Sequence, residues 1–314
     1  MRSITVSDKY VNKKVEYVIK SEFPNMPVNA MYKAFRKKDI KVNGVRVKEG
    51  YPVYPGYKIE VYISDNILDG APQEIKTELN KGFTVVFEDN NLLIVNKEQG
   101  IPVHPDREQQ NNTLIDNIKN YLELTGQYEP KNKASFTPSL CHRLDRNTGG
   151  LVIIAKNEET LKTVLEKIKN KEIKKYYQCL VQGHLEKKSD TLKAYLEKDE
   201  KKSRVFIREQ KSKNSLEVIT KYKVLAYEAD YTKLEVELVT GRTHQIRAHF
   251  AHIGHPVVGD GKYGTNQFNR AMGVKFQALW AYKLHFDFVG ISNLNYIKGR
   301  VFQVEPEFKL NRSK

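Results

Sequence analysis

From Phe83 onward, short segments of strand length recur along the chain and outnumber the segments with helical periodicity. Residues 83–97 form two apolar stretches around Asn90-Asn91, which predicts a hairpin. Further strands are expected at residues 151–156, 176–181, 216–227 and 234–239. Strands linked as hairpins favour antiparallel pairing. We therefore predict an α+β fold with a mainly antiparallel mixed sheet, rather than a doubly wound parallel sheet.

Two helices are predicted among these strands. The first ends at Gly126 and has apolar residues at helical spacing: Leu114, Ile118, Tyr121 and Leu122. Asn157 can cap the second, in which Glu158 and Glu159 suit the first turn. Its predicted apolar stripe comprises Leu161, Val164, Leu165 and Ile168.

The charge balance indicates a polyanionic partner. The 314 residues carry 53 Lys and Arg against 38 Asp and Glu, a formal net charge of +15, and such a surface attracts nucleic acid. An anionic membrane is the alternative, but no stretch approaches the roughly 18 apolar residues of a spanning helix, and no signal peptide opens the chain. We expect a soluble cytoplasmic protein. Cys141 and Cys179 lack the number and spacing of a disulfide framework, and we expect both to be buried.

The segment from Val11 to Ile63 has its own pattern. Two short helical stretches rich in Lys and Arg precede brief strands, with turns at Asn43-Gly44 and Pro55-Gly56. Met31 and Phe35 are expected to face inward. The predicted outward face carries Lys33, Arg36, Lys37 and Lys38 and continues through Lys41, Arg46 and Lys48. This face can bind phosphate, or it is simply a solvated charged helix.

Over roughly residues 13–63 this order, ending in KVNGVRVKEGYPVYPGYKIEVYI, resembles the small RNA-binding domain named after ribosomal protein S-four. The resemblance implies that the basic face binds RNA, and it assigns this role to Arg36, Lys37, Lys38, Lys41 and Arg46. The predicted organisation is an RNA-binding domain at 1–65, a polar linker at 66–82 and a second domain at 83–314.

The densest polar cluster is HRLDRNTGG at residues 142–150. A loop that feeds a buried strand places Arg143 and Asp145 on one side of the chain. A carboxylate flanked by Arg143 and Arg146 stays ionised, so it can act as a nucleophile or stabilise a positive charge. The alternative is an ion-paired turn with no chemical role.

A second cluster, TGRTHQIRAHFAHIGHPVVGDGKYG, covers residues 240–264. We predict a helix that Thr243 caps and Gly254 ends, with Ile246, Phe250 and Ile253 on one face and Arg247 in its first turns. Its start, with Arg242, is suited to an anion. Four histidines suggest zinc, but they do not share a face and no Cys or HExxH pattern accompanies them, so we expect no metal.

Together with KKYYQCLVQG (174–183), these clusters resemble the RluA-type RNA pseudouridine synthases from Phe83 onward. The first family motif is matched by His142, Arg143, Leu144, Asp145, Thr148 and Gly150. Tyr177 and Gly183 match the second, and Gly241 to Arg247 match the third throughout. The downstream His-Pro-x-x-Gly-Asp motif is matched by His255, Pro256, Gly259 and Asp260. Gly149 stands where the family usually has Ser, which removes a hydroxyl near Asp145; we expect activity to survive.

The resemblance implies isomerisation of uridine to pseudouridine with no cofactor or metal. Asp145 is expected to act after the base leaves the stack, as a nucleophile toward the sugar or the uracil ring, or by assisting departure of the base. Arg247 is expected to pair with Asp145, and Tyr177 to lie against the uracil and help remove the proton from carbon five. Arg143 fills the vacated space, and His142 and Arg242 join it in binding RNA.

The expected substrate is large-subunit ribosomal RNA, with transfer RNA as the alternative, and the default oligomeric state is a monomer. Two other function classes stay open. One is a non-catalytic RNA-binding or ribosome-assembly protein. The other is an Asp-dependent phosphoryl-transfer hydrolase, which would need further acidic residues to hold Mg²⁺ near Asp145; Arg143 and Arg146 stand there instead.

Overall fold

The structure, a computed structural model, describes residues 2–23, 26, 28–64, 68, 82–105, 109, 111–130, 132, 135–199, 204–308 and 310. The predicted linker at 66–82 lies outside the described residues, except for Leu68 and Gly82. The chain divides into two compact units. The first comprises Met1–Lys81 and Ile118–Ser135, and the second comprises Gly82–Asn117 and Phe136–Lys314. The predicted domain boundaries stay predictions.

In the first unit, the described residues 2–64 form two short α-helices and six short strands. Among its described residues, four strands form a sheet in the order β1-β6-β3-β4, and β2 pairs with β5. The helices are α1 (Val15–Glu22) and α2 (Val28–Lys37), and the strands are β1 (Arg2–Thr5), β2 (Lys13–Lys14), β3 (Ile40–Val42), β4 (Val45–Arg46), β5 (Pro52–Val53) and β6 (Lys58–Val61).

Helix α2 has the two faces that its sequence predicts. Met31 and Phe35 are buried in the core of this unit, as expected for i, i+4 apolar residues. The basic residues predicted to face outward do so: Lys33, Arg36, Lys37 and Lys38 are exposed, as are Arg46 and Lys48, and Lys41 is half-exposed.

The rest of the chain is dominated by strands. They are β7 (Phe83–Glu88), β8 (Leu92–Lys97), β9 (Ser139–Leu140), β10 (Gly149–Ala155), β11 (Ile173–Gln182), β12 (Ser189–Asp199), β13 (Arg204–Arg208), β14 (Leu216–Tyr227), β15 (Tyr231–Leu238), β16 (Leu279–Phe286) and β17 (Val301–Gln303). The helices are α3 (Leu114–Leu124), α4 (Glu158–Lys169), α5 (Gln245–His252) and α6 (Asn266–Ala271).

In the described part of the second unit, eleven strands form one sheet. Nine of them follow the order β13-β12-β14-β15-β11-β16-β10-β8-β7, while β17 pairs with β16 and β9 with β10. Strand β10 runs parallel to β16, and the other described pairs are antiparallel. The predicted α+β fold with a mainly antiparallel mixed sheet is therefore confirmed.

Strand β10 is the most deeply buried strand, because all of its residues are buried. This explains its unbroken apolar run, which has no polar face. The helix that follows is capped as predicted, since Asn157 Oδ1 accepts the Thr160 N–H at 2.9 Å. The predicted stripe is wrong at Leu165, which is 46% exposed. Helix α4 instead packs through Leu161, Val164 and Ile168, which a narrower i, i+3, i+7 stripe explains.

Both cysteines are buried, as predicted. Among the described residues, no helix has the length and apolar character needed to cross a membrane.

Candidate active site

A cavity of about 1560 Å³ lies in the second unit, larger than the 300–1,000 Å³ of most small-molecule sites. It is lined by the loop before β10, by β11, and by the loop that leads into α5. The cavity brings together six residues predicted from the sequence: His142, Arg143, Asp145, Tyr177, Arg242 and Arg247.

Asp145 lies in the loop before β10 and is half-buried. The Thr148 N–H donates to the Asp145 carbonyl at 3.0 Å, which closes a tight turn. Its carboxylate accepts a hydrogen bond from Arg247 Nη1 at 2.8 Å, so the predicted pairing of Asp145 with Arg247 is present. The sequence suggested Arg143 and Arg146 as the flanking cations, but the contact that orients the carboxylate comes from α5.

Arg247 is held between two carboxylates. Its Nε and Nη2 donate to the two oxygens of Asp260 at 2.7 and 2.9 Å, and this fork fixes the guanidinium plane. Burial alone would lower the pKa of Arg247, but the hydrogen bonds and negative charge of Asp260 and Asp145 raise it above its usual value. Arg247 therefore stays charged and aimed at Asp145.

Asp260 is fully buried. Burial raises the pKa of its carboxyl group, but the hydrogen bond and charge of Arg247 and the N–H groups of Lys262 and Tyr263 hold the pKa below its usual value. Because both partners keep their charge, the pair is a buried ion pair with every carboxylate oxygen bonded.

The helix start differs from the prediction. His244, not Thr243, is the N-cap, and its φ of 53° is left-handed. Its Nδ1 lies 3.0 Å from the Tyr263 hydroxyl, and its Nε2 lies 3.9 Å from Asp145 Oδ2. The Val205 N–H donates to the same hydroxyl, which favours donation of the phenol hydrogen to Nδ1 and places the ring hydrogen on Nε2, facing Asp145.

Tyr177 lines the cavity from β11 and is buried. Burial, and then the negative charge of Asp145, raises the pKa of its phenol. A phenolate is therefore disfavoured, which argues against removal of a proton by ionised Tyr177. The neutral ring is better suited to pack against a nucleobase.

With this geometry in place, similarity to known proteins decides the family. A family model described as RNA pseudouridylate synthase matches residues 91–252, about half of the chain. The chain belongs to this family. It is an RNA pseudouridine synthase, and the loop that carries Asp145 lies inside the matched region.

Relatives of this synthase match most of its length. It is 29% identical over 271 residues to "Ribosomal large subunit pseudouridine synthase C" of Vibrio cholerae, covering 85% of this chain and 81% of that protein. An uncharacterised RNA pseudouridine synthase of Mycoplasma pneumoniae is 31% identical, with 88% and 85% covered. The solved structure "Human RNA Pseudouridylate Synthase Domain Containing 4" superposes with a TM-score of 0.56 at 19% identity, covering 73% of this chain and 90% of that one, which supports the fold.

The synthase places its predicted RNA-binding residues in different environments. Arg143 and Arg242 are exposed at the cavity, where they can reach phosphate. His142 is half-buried, and its Nε2 accepts the Ile153 N–H at 3.2 Å. Burial, and then the charge of Lys175, lowers the pKa of His142 to about 3. A neutral His142 therefore fastens the loop to β10 and lacks the charge that attracts phosphate.

The basic residues Arg36, Lys37, Lys38, Lys41 and Arg46 belong to the first unit, and the residues that line the cavity do not include them. Their predicted role in RNA binding stays a prediction.

The histidines of the third motif region have separate partners. Among the described residues, no group of three or more His, Cys, Asp or Glu side chains is arranged to hold a metal ion. The histidines are instead bonded as follows: His244 to Tyr263, His249 to Thr220, His252 to Glu209, and His255 to the Gln182 carbonyl.

Sequence reasoning missed a buried lysine beside the loop that carries Asp145. Lys97 ends β8, is fully buried, and donates through Nζ to the carbonyls of Glu98, Ile101 and Arg146 at 2.8, 2.8 and 3.0 Å. Burial lowers the pKa of Lys97 to about 7, whereas the negative charge of Asp145 raises it. The sequence signal that could have identified Lys97 is a lysine at the end of an apolar strand.

Asp260 was also given no role from the sequence, although its motif was noted. A second missed contact is Gln277, whose Nε2 donates to Thr148 Oγ1 at 2.8 Å. Asp260 holds Arg247, and Gln277 holds Thr148 in the loop that carries Asp145.

Proposed function

We propose that this pseudouridine synthase acts on uridines of large-subunit ribosomal RNA and uses Asp145 as its nucleophile. Relatives in Vibrio cholerae and Xylella fastidiosa are named ribosomal large subunit pseudouridine synthases C and D, which supports ribosomal RNA over transfer RNA. The formal net charge of +15 suits an RNA substrate, and a cytoplasmic location fits the same substrate.

One observation carries the role of Asp145: its carboxylate opens into the cavity while Arg247, itself locked by Asp260, holds one oxygen at 2.8 Å. A carboxylate with one fixed oxygen presents the other in a constant direction, which is the preorganisation that nucleophilic catalysis needs.

The target base must first leave the RNA stack, which costs a few kcal/mol. Arg143 is exposed beside Asp145, so its guanidinium can occupy the vacated space and pair with phosphate. Loop uridines, which are already unstacked, are the favoured targets.

The isomerisation then exchanges one bond for another. The bond from ribose C1′ to uracil N1 breaks, the base turns, and a new bond joins C1′ to C5. The hydrogen on C5 is lost as a proton, and N1 gains one. Asp145 attacks or assists at this centre, Arg247 keeps it ionised, and the protonated Tyr177 ring packs against the base.

RNA is held outside the cavity by charge. Arg242, together with Arg143, supplies phosphate contacts that position the strand. We assign the same role to the basic face of α2, as part of an S-four-type RNA-binding domain at residues 1–65, and we expect a monomer.

The test is a map of pseudouridine on defined RNA. Unmodified large-subunit ribosomal RNA and transfer RNA transcripts are incubated with the wild-type protein, Asp145→Asn or Asp190→Asn, with and without a chelator. Pseudouridine is then read as carbodiimide-dependent stops of reverse transcriptase. Asp190 lies on β12 and pairs with Lys187, which precedes that strand. The Asp190→Asn variant therefore controls for loss of one negative charge.

New stops on ribosomal RNA with the wild type and Asp190→Asn, but not with Asp145→Asn, are the expected result. Stops confined to transfer RNA would overturn the substrate. Unchanged stops with Asp145→Asn would overturn the nucleophile, and tight binding without any stops would favour a docking protein.

A further inference from the structure

Gly149 marks a departure of this chain from its family. It stands where the motif usually has Ser, four residues after Asp145, and it begins β10. The sequence alone suggested a turn that lacks one hydroxyl. The structure instead places Gly149 in a fully buried strand, against the ring of Trp280.

Two neighbouring glycines are required for different reasons. At Gly150, φ is +116° and a Cβ would lie 2.3 Å from the Ala281 carbonyl oxygen, so the backbone itself demands glycine. At Gly149, φ lies outside the left-handed region, and a Cβ would meet three carbons of the Trp280 six-membered ring at 2.5, 2.6 and 2.6 Å. Carbon atoms normally approach to about 3.5 Å. The Trp280 indole therefore excludes a side chain at position 149.

The indole has little freedom to move aside. Trp280 is 3% exposed, and its Nε1 donates to Asn96 Oδ1 at 3.2 Å. Its strand is also clamped on both sides, because Trp280 pairs with Gly149 of β10 and with Gln178 of β11. Gln178 directly follows Tyr177, so Trp280 lies between the strand that the nucleophile loop enters and the strand that carries Tyr177.

We propose that Trp280 is a positioning residue of this synthase: its indole fills the space of the missing Ser side chain at residue 149 and fixes the nucleophile loop against the Tyr177 strand. This rests on the proposed role of Asp145. A side chain at 149 and an indole at 280 are mutually exclusive, so the two positions form a co-dependent pair.

The test is a double-mutant cycle with Gly149→Ser, Trp280→Leu and the combined variant. Activity is the single-turnover release of tritium from RNA that carries [5-³H]uridine. Because the chain contains one tryptophan, its fluorescence reports the environment of Trp280 in every variant that retains it. Gly149→Ala separates steric exclusion from hydroxyl chemistry. Gly261→Ser is the matched control, since a Cβ at Gly261 would have no neighbour within 4 Å.

In the wild-type background, Gly149→Ser and Gly149→Ala are both expected to lower the rate constant about tenfold, to shift the tryptophan emission, and to leave the Kd for RNA within about twofold. In the Trp280→Leu background, Gly149→Ser is expected to raise the rate constant. A role limited to global stability would give rates that follow the melting temperatures and show no such reversal of sign.

Equal rates and unchanged emission for Gly149→Ser and wild type would overturn the proposal. So would a combined variant no faster than Gly149→Ser, because the indole would then not be what the side chain meets. If Gly149→Ser does not fold, the same comparison of rates is made between Gly149→Ala and its combination with Trp280→Leu. An inactive wild type would instead overturn the proposed function.

Discussion

At the scale of single residues, the site depends on a chain of charges in which each group fixes the next. Asp260 holds Arg247 by two hydrogen bonds, and Arg247 holds Asp145 by one. The buried Asp260 therefore supports the ion pair between Arg247 and Asp145, although Asp260 does not contact Asp145 itself. Removing one partner of a buried pair leaves a charge without compensation, which is the costly case for buried ions.

Asp260→Asn tests this chain. We expect the free energy of unfolding to fall by about 3–5 kcal/mol, because Arg247 loses its fully buried charged partner and keeps only the half-buried Asp145. Tritium release should slow because the guanidinium is no longer fixed in the orientation that aims Asp145. Urea unfolding and single-turnover assays measure the two effects. Asp190→Asn, at a half-exposed residue, serves as the control. An unchanged rate of tritium release in Asp260→Asn would contradict the positioning role of Asp260.

His249 predicts how stability depends on pH. It is 2% exposed and its Nδ1 lies 3.0 Å from Thr220 Oγ1, and burial lowers its pKa to about 4. Its unfolded pKa is about 6.5, so between pH 6.5 and 4 the unfolded state binds more protons. Stability therefore falls as pH falls through this window, by about 2 kcal/mol at pH 5. Chemical unfolding at pH 7.5 and 5.0 should show this loss reduced in His249→Gln; an equal loss in both proteins would refute the assignment.

At the scale of elements, the end of β8 and the segment before β16 hold the loop that carries Asp145. Lys97 at the end of β8 bonds the Arg146 carbonyl, and Gln277 bonds Thr148. These two hydrogen bonds hold the loop at Arg146 and Thr148, one and three residues after Asp145.

Lys97→Met is expected to leave three carbonyls without this donor. The free energy of unfolding should fall by about 3 kcal/mol, and the rate of tritium release should fall more than the affinity for RNA, because the loop shifts. Lys169→Met, at an exposed residue of α4, is the control. A Lys97→Met protein with wild-type stability and rate would show that these bonds do not hold the loop.

Elements with strong local patterns could be predicted from the sequence. The hairpin of β7 and β8, the buried β10 and the Asn157 cap all rest on neighbouring residues. Strand β12 was missed because polar and charged residues dominate its sequence, with burial alternating along the strand. The five-residue β13 was missed because it is short and has an arginine at each end. The parallel pairing of β10 with β16 joins Gly149 to Trp280, and no local pattern encodes so distant a partner.

Some residues of the site could likewise be predicted from the sequence, and others could not. Asp145, Tyr177 and Arg247 lie in motifs that the sequence displays directly. Lys97 meets Arg146, 49 residues away, and Trp280 limits residue 149 only through the packed sheet. Such contacts depend on the folded topology, so single-sequence reasoning did not supply them.

At the scale of the whole molecule, the net charge of +15 should govern affinity for RNA. If the basic face of α2 binds RNA, Arg36→Gln combined with Lys37→Gln reduces the magnitude of the negative slope of log K against log salt by about 1.5. Lys162 and Lys169, exposed on α4, give a charge-matched double control. Filter binding over a salt series measures both. An identical slope in the two double variants would remove α2 from the RNA-binding surface.

We propose that the Asp145 carboxylate carries the isomerisation. The most direct measurement is single-turnover tritium release by Asp145→Asn on RNA that contains the mapped uridine, with the Kd for that RNA measured alongside. We expect unchanged binding of RNA and a rate of tritium release below about one thousandth of the wild-type rate. Release at a rate near that of the wild type would contradict it.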